Sequence, residues 1–259
     1  MSATYLDRIL AAHRAAAESD ERHVDPLINQ ALSMPPTRGF AAALTAAPGL
    51  GVIAEVKRRS PSKGDLNPDL DPASLARSYQ AGGAACLSVL TDQDFFGGSP
   101  DDLAAAREAV SIPVLRKDFT VSPLDVCDAR LMGADAVLLI AAALDDEHLG
   151  WLHGLAVGIG LDVLVEVHDG DELRRATEVG ATLIGVNQRD LVTFAVDTDR
   201  AVRLRSLMPE GAVTVAESGV GGPDDATRLR EAGYDAVLVG ESVVTSGDPE
   251  SAVRALAHA

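Results

Sequence analysis

Short apolar runs of four to seven residues recur along the chain from residue 51 onward, and segments with helical periodicity separate them. Runs of this length that are apolar at both odd and even positions are typical of parallel strands buried on both faces. We predict eight such strands, over residues 51–56, 86–90, 112–115, 136–140, 161–167, 183–186, 212–216 and 236–239.

A small residue and a glycine precede every second run. The four stretches are AGGA (81–84), MGAD (132–135), VGAT (179–182) and AGYD (232–235). Each glycine is predicted to end a helix just before the next strand. Eight strands that alternate strictly with helices predict an α/β protein with a closed (β/α)8 TIM barrel. A doubly wound open sheet is the alternative, but no G-x-G-x-x-G follows the first strand.

Helix starts support this alternation. Pro72 and Pro223 are predicted to lie in first helical turns, and Asp169 with Glu172 resembles a capping box. Residues 1–48 precede the first strand and show helical periodicity. We therefore expect an N-terminal helical extension over 1–48 and a barrel over 49–259, which together make one domain.

Length and composition exclude several classes of protein. With 259 residues and 47% hydrophobic content, the chain can bury a large core without disulfides or a structural metal. Its longest uninterrupted apolar run, 136–144, has nine residues, too few to cross a bilayer. The first residues, MSATYLDRIL, lack the segments of a secretion signal. We expect a cytoplasmic protein without a membrane partner, monomeric or weakly homo-oligomeric, with reduced thiols.

Charge indicates the kind of partner. The chain has 39 acidic and 22 basic residues, for a net charge of −17, which argues against binding to nucleic acid. Only three of the basic residues are lysines, namely Lys57, Lys63 and Lys117, and all three follow predicted strands. A compact ammonium with a tunable pKa is chemistry that arginine cannot supply.

The carboxyl ends of barrel strands form the usual active-site face. Glu55, Glu166 and Glu217 interrupt strands that are otherwise apolar at that end. Because an unpaired buried carboxylate is costly, each should meet a cation or titrate abnormally. A layer of charges that fixes barrel register is the structural alternative. Together with Lys57 and Lys117, the three glutamates favour acid–base chemistry.

Glycine-rich turns follow the last two strands, as Ser218-Gly219-Val220-Gly221-Gly222 and Gly240-Glu241-Ser242. Turns at these positions form the common phosphate site of this fold. We therefore predict a small phosphorylated substrate.

Metal and nucleophile chemistry find no support in the motifs. The six histidines show no metal-ligand spacing. Ser218 lacks the Gly-x-Ser-x-Gly context of a nucleophile. His168 lies two residues after Glu166, and strand alternation points both side chains the same way, so a pocket role for His168 stays open.

The chain resembles the indole-3-glycerol phosphate synthase family of tryptophan biosynthesis. The matching segments are IAEVKRRSPSKG (53–64), LTDQDFFGGS (90–99), PVLRKDF (113–119), GADAVLLI (133–140), LVEVHD (164–169), GVNQRDL (185–191) and VAESGV (215–220). The resemblance implies a lyase that converts 1-(2-carboxyphenylamino)-1-deoxyribulose 5-phosphate into indole-3-glycerol phosphate, carbon dioxide and water. It implies no metal and no organic cofactor. Gln188 departs from the family, which often has Asn at that position.

The resemblance also implies roles for the acidic and basic residues. Lys117 would be the general acid that protonates the ribulose carbonyl during ring closure. Glu166 and Lys57 would transfer protons in the dehydration, and Glu55 would orient Lys57. Which group acts in which step stays open.

Further residues are implied to bind the substrate. Asn187 and Glu217 would hold its hydroxyls and the region of the anthranilate carboxylate, and an aromatic pair would pack its ring. The substrate- and phosphate-binding residues expected are Ser60, Phe96, Phe119, Arg189, Ser218, Gly219, Gly240, Glu241 and Ser242.

Two other functions are compatible with the same residues. The barrel could bind a different phosphosugar, or it could be a catalytically silent binding protein. The second is disfavoured because a silent barrel gains little from retaining two inner lysines and three inner glutamates.

Overall fold

A computed structural model describes residues 4–259. Eight parallel strands form a closed barrel in the order β1-β10-β9-β8-β7-β6-β5-β4, and β2 pairs with β3 outside it. This confirms the predicted (β/α)8 barrel. The strands are β1 (Gly51–Val56), β2 (Arg59–Ser60), β3 (Gly64–Asp65), β4 (Cys86–Leu90), β5 (Val114–Lys117), β6 (Ala136–Ile140), β7 (Asp162–Val167), β8 (Leu183–Asn187), β9 (Val213–Glu217) and β10 (Ala236–Val239).

Helices surround the barrel and also precede it. The described chain has α1 (Tyr5–Ser19), α2 (Val24–Leu32), α3 (Phe40–Thr45), α4 (Pro72–Ala81), α5 (Gln93–Phe96), α6 (Pro100–Ala109), α7 (Pro123–Leu131), α8 (Asp146–Gly158), α9 (Gly170–Glu178), α10 (Arg200–Arg205), α11 (Pro223–Glu231), α12 (Glu241–Val244) and α13 (Pro249–Ala257), with a short 3-10 helix over Ala141–Ala143. None of the described helices is long and apolar enough to cross a membrane.

Three strands extend further than their apolar runs. Lys117 pairs in register with Leu90, and Asn187 pairs with Glu217, so all three polar residues belong to strands rather than to the loops after them. The prediction ended these strands one or two residues early, because it relied on apolar side chains. The hydrogen-bonded ladder of the backbone continues past the apolar residues. The polar side chains at these last positions face the barrel mouth.

The helix boundaries follow the local signals. The glycines Gly83, Gly133, Gly180 and Gly233 have φ of 94°, 90°, 79° and 93°, as expected for the residue after a helix. Pro72 and Pro223 begin α4 and α11.

The capping box expected at Asp169 forms only by half. The Asp169 side chain accepts a hydrogen bond from the Glu172 amide at 2.9 Å. The Glu172 carboxylate accepts instead from the His168 amide at 2.8 Å and contacts the His168 ring at 3.0 Å. The imidazole next to the cap therefore draws Glu172 away from the expected partner.

The helices before β1 run from one end of the barrel to the other. At the amino-terminal end of the strands, α3 buries Phe40 and Leu44 completely or nearly so. There the backbone amide of Arg38 donates to Asp135 at 2.8 Å, and that of Ala41 donates to Asp162 at 2.9 Å. Helix α3 thus closes the end of the barrel that lies opposite the expected active site.

Candidate active site

A cavity of about 660 Å³ lies at the carboxyl ends of the barrel strands. All fifteen residues predicted for catalysis or binding line it. They are Glu55, Lys57, Ser60, Phe96, Lys117, Phe119, Glu166, Asn187, Arg189, Glu217, Ser218, Gly219, Gly240, Glu241 and Ser242. These fifteen residues come from seven of the eight βα units and converge on one volume, which is the size of an ordinary small-molecule site.

Lys117 lies between two carboxylates at the centre of this cavity. Its Nζ is 3.4 Å from Oε2 of Glu166 and 3.7 Å from Oε2 of Glu217. The Asn187 amide donates to Oε1 of Glu166 at 3.0 Å. Lys117 comes from β5 and the other three from β7, β8 and β9, so barrel closure assembles the group from four separate strands.

Lys117, Glu166 and Glu217 differ in the direction and cause of their pKa shifts. Burial opposes the charge on Lys117, but the three glutamates around it outweigh burial and raise its pKa above the ordinary range. Burial likewise opposes the charge on Glu166, yet Lys117 and its hydrogen bonds lower the pKa of that carboxyl. For Glu217, burial and the neighbouring Glu166 charge raise the pKa well above its usual value. The surroundings therefore favour the ammonium form of Lys117, the anion of Glu166 and the protonated form of Glu217.

The Glu217 side chain fits only because the neighbouring residue, Gly185, has no side chain. A Cβ at Gly185 would lie 2.1 Å from Oε1 of Glu217. That oxygen is buried and has no hydrogen-bond partner among the described residues. A carboxyl with an unpartnered buried oxygen is easier to hold neutral than charged, consistent with its raised pKa.

Glu55 and Lys57 form a second acid–base pair at the mouth. Lys57 donates to Oε1 of Glu55 at 2.5 Å, and Ser88 lies 3.3 Å from Oε2. Although burial opposes it, the charges of Lys57 and Lys117 lower the pKa of Glu55. The pair is thus an ammonium held beside a carboxylate, with one side of Lys57 turned to the cavity.

Two aromatic rings form one wall of the cavity. Phe96 and Phe119 have their ring centroids 6.3 Å apart and their planes at 33°. The remaining apolar wall includes Leu138 and Ile140. Such a wall can hold a planar aromatic group beside the Lys117 ammonium.

The opposite side of the cavity is lined by backbone from the last two βα turns. Ser218 and Gly219 both have positive φ, 63° and 73°, so this turn presents peptide groups rather than side chains. The Ser242 hydroxyl donates to the carbonyl of Val220 at 3.0 Å and ties the two turns together. Consecutive backbone amides of this kind make a concave site for an anion.

Two cationic side chains, Lys63 and Arg189, also lie at this end of the cavity, but both are already paired with Glu241. One carboxylate oxygen of Glu241 lies 3.7 Å from Lys63 Nζ, and the other lies 3.9 Å from Arg189 Nη2. The Glu241 side chain therefore competes with a bound anion, and only its backbone amide is suited to bind one. Next to Lys63, Ser60 is buried and its hydroxyl accepts from the Lys63 amide at 3.2 Å.

Helix α1 is anchored at the same mouth. His13 Nε2 lies 2.8 Å from Asp92 and 3.8 Å from Asp118, and both aspartates line the cavity. The three side chains are close enough to ligate a metal ion. However, Arg116 lies 2.9 Å from Asp118 and supplies a cation already, so we interpret the group as an ion-pair anchor.

We expect this anchor to depend on pH. Burial opposes protonation of His13, but Asp92 and Asp118 raise its pKa above 6.5. Its stabilisation is therefore complete below pH 6.5 and is lost as pH rises through the raised value. His13→Gln should lower the free energy of unfolding by about 1 kcal/mol at pH 6 and by much less at pH 9, measured by urea denaturation.

A matched control uses an exposed histidine that also contacts a carboxylate. His148 lies 2.8 Å from Asp145 on the surface, and His148→Gln should change stability little at either pH. Equal losses for His13→Gln at pH 6 and pH 9 would contradict the anchor.

Some residues that line the cavity or contact its side chains were not predicted. Ser88 sits inside an apolar strand and pairs in register with Glu55; a lone serine opposite a buried glutamate was the available signal. Asp92 and Phe194 lie in loops, and no pattern in the chain connects them with His13 or with the phosphate end. The packing of α1 and of the loop after β8 brings them there.

Similarity to known proteins agrees with this geometry. Residues 6–256 match the family model described as indole-3-glycerol phosphate synthase. A curated protein from Nocardioides sp., named indole-3-glycerol phosphate synthase, is 60% identical over 208 residues, which cover 80% of each chain.

Solved structures share the architecture at low identity. One is a thiamine phosphate pyrophosphorylase from Pyrococcus furiosus (TM-score 0.61, 17% identity, 82% of this chain and 95% of that one). Another is an N-acetylmannosamine-6-phosphate 2-epimerase from Clostridium perfringens (TM-score 0.60, 13% identity, 77% and 90%). These two indicate the fold alone.

Proposed function

The chain belongs to the indole-3-glycerol phosphate synthase family, and from this premise we propose how its residues carry out the reaction. The substrate is 1-(2-carboxyphenylamino)-1-deoxyribulose 5-phosphate, and the products are indole-3-glycerol phosphate, carbon dioxide and water. The observation that carries the assignment of roles is the Lys117 ammonium held 3.4 Å from the Glu166 carboxylate and 3.7 Å from Glu217.

Ring closure needs an acid and enforced proximity. The arene carbon that bears the carboxylate attacks the ribulose carbonyl carbon, while Lys117 gives a proton to the carbonyl oxygen, which becomes a hydroxyl. Phe96 and Phe119 hold the arene against this carbonyl. The carbon–carboxylate bond then breaks, and its electron pair restores neutrality as carbon dioxide leaves.

Dehydration needs an acid and a base together. The new hydroxyl leaves as water after it takes a proton from Lys57, which Glu55 holds in place by a hydrogen bond. Glu166 is anionic and removes a proton from the new ring, and the loss of this proton makes the pyrrole aromatic. The surroundings of Glu217 favour its protonated form, in which it donates a hydrogen bond to a substrate oxygen, with Asn187 beside it.

The substrate phosphate binds at the glycine-lined end of the cavity. Backbone amides of Gly219, Gly240 and Glu241 surround it, with Ser218 and Ser242 in the same turns. Arg189 supplies the charge once it leaves Glu241, which lies 3.9 Å away. The two ends of the substrate are thus fixed by amides at one side and by an aromatic pair at the other.

Turnover by the purified protein tests this proposal. Indole fluorescence should rise on incubation with the substrate in the presence of a metal chelator. The dephosphorylated substrate should show kcat/KM lower by at least about 100-fold, because binding energy from the remote phosphate is lost. Equal turnover of the two substrates would contradict the phosphate site and leave the acid–base assignment standing.

A further inference from the structure

His168 lies directly behind the Glu166 carboxylate and does not line the cavity. Its side chain is 12% exposed, and it is clamped between two carboxylates. Nδ1 lies 3.0 Å from Oε2 of Glu172, and Nε2 lies 3.5 Å from Oε1 of Glu166. Nε2 is buried and makes no hydrogen bond within residues 4–259.

The position of the two carboxylates constrains the protons of the ring. A neutral imidazole has one N–H and one lone pair. Either neutral form therefore leaves a lone pair facing a carboxylate oxygen, on the Glu166 side or on the Glu172 side. Only the imidazolium presents an N–H to both anions, and it also places a positive charge between them.

We propose that His168 is a positioning residue, held as an imidazolium between Glu166 and Glu172, that fixes the orientation and the charge of the Glu166 carboxylate. The inference rests on the proposed role of Glu166 as a base. With His168 in place, Oε1 of Glu166 has both Asn187 and His168 beside it, and Oε2 has Lys117. Rotation of the carboxylate would therefore move at least one oxygen away from Asn187, His168 or Lys117.

All but one of the charged groups around His168 favour its protonated form. Burial lowers its pKa, but Glu172 from α9 and Glu166 from β7, which ends one residue before His168, outweigh burial and raise it. Arg200 from α10 opposes them with its charge while it donates to the Asn187 carbonyl at 2.9 Å. The net shift is upward, so the imidazolium persists to a higher pH than in an ordinary histidine.

Loss of that proton should weaken the reaction at alkaline pH. His168→Leu removes both N–H groups, and kcat should fall about tenfold, the rate equivalent of one hydrogen bond to a charged group, with KM unchanged. His168→Gln keeps a donor that does not titrate. It should retain kcat at neutral pH and lose the alkaline decline that His168 causes.

The protonation state can be read without turnover. In protein labelled at histidine with ¹³C and ¹⁵N, the resonance missing from His168→Gln identifies His168. Its titration midpoint should lie above that of an ordinary histidine, about 6.5. Glu172→Gln leaves His168 intact but removes one anion, so it should move both this midpoint and the alkaline limb of kcat to lower pH. His148→Gln, on the surface, should change neither.

The two readouts separate the possible failures. If Nε2 is unprotonated at neutral pH, or if Glu172→Gln leaves the midpoint where it was, the proposal is wrong whatever the activity. If the midpoint behaves as expected but His168→Leu folds and keeps the parental kcat and pH profile, His168 is structural only. Absence of turnover by the parent protein would instead contradict the proposed function, and the resonance would still decide the state of His168.

Discussion

Lys117→Met is expected to lower kcat/KM by at least about 10³-fold, because the ring closure then has no acid for the ribulose carbonyl. In the described structure, Lys117 is the only lysine that lies between Glu166 and Glu217. Steady-state fluorescence assays at saturating substrate measure the loss. The effect should fall mainly on kcat, since the phosphate and the arene are bound elsewhere in the cavity.

Lys117→Arg separates acid catalysis from charge. Guanidinium preserves the positive charge between the two glutamates but does not give up its proton in this pH range. It should therefore bind the substrate with an affinity close to that of the parent and remain slower by about 10²-fold or more. Parental turnover by Lys117→Arg would show that Lys117 acts by charge alone.

Isosteric replacements should distinguish Glu166 from Glu217. Glu166→Gln removes an anion that we assign as the base, and kcat should fall by at least about 10²-fold. Burial and Glu166 raise the pKa of Glu217 and so favour its protonated form. Glu217→Gln therefore replaces a carboxyl that favours its neutral form by a neutral group of the same shape, and its loss should be within about tenfold.

A pH series on stability checks the same assignment independently. A carboxyl whose pKa is raised in the folded state binds more protons there than in the unfolded chain. It therefore lowers stability as pH rises from its unfolded value, 4.5, through the raised value. Glu217→Gln should flatten that decline. If Glu166→Gln flattens it instead and Glu217→Gln is the inactive variant, the two roles are exchanged.

Local patterns were enough for the fold and for most of the cavity. Double-sided apolar runs, helix-ending glycines such as Gly133 and Gly180, and prolines at helix starts each depend on only a few neighbouring residues. Because all parallel strands of a closed barrel end at one face, the polar residues that follow them had to meet. Glu55, Lys117, Glu166 and Glu217 could be placed together on that ground alone.

Their protonation could not be predicted in the same way. Glu166 and Glu217 are both single glutamates at the ends of apolar strands, and the chain gives no reason to treat them differently. The difference comes from distances: Glu166 accepts a hydrogen bond from Asn187 at 3.0 Å and lies 3.4 Å from Lys117, whereas a buried oxygen of Glu217 has no hydrogen-bond partner within residues 4–259. Small changes in such distances change a buried pKa strongly.

The amino-acid pattern thus determines a barrel, its catalytic face and the residue types that meet there, because strand and helix signals are local and barrel closure is a rule of topology. Packing decides the rest. The contact of His13 with Asp92 joins residues 79 positions apart. The clamp on His168 and the pairing of Glu241 with Lys63 and Arg189 likewise depend on how loops and helices settle on the barrel. These contacts form only when distant segments approach within a few ångströms, and no local pattern carries that information.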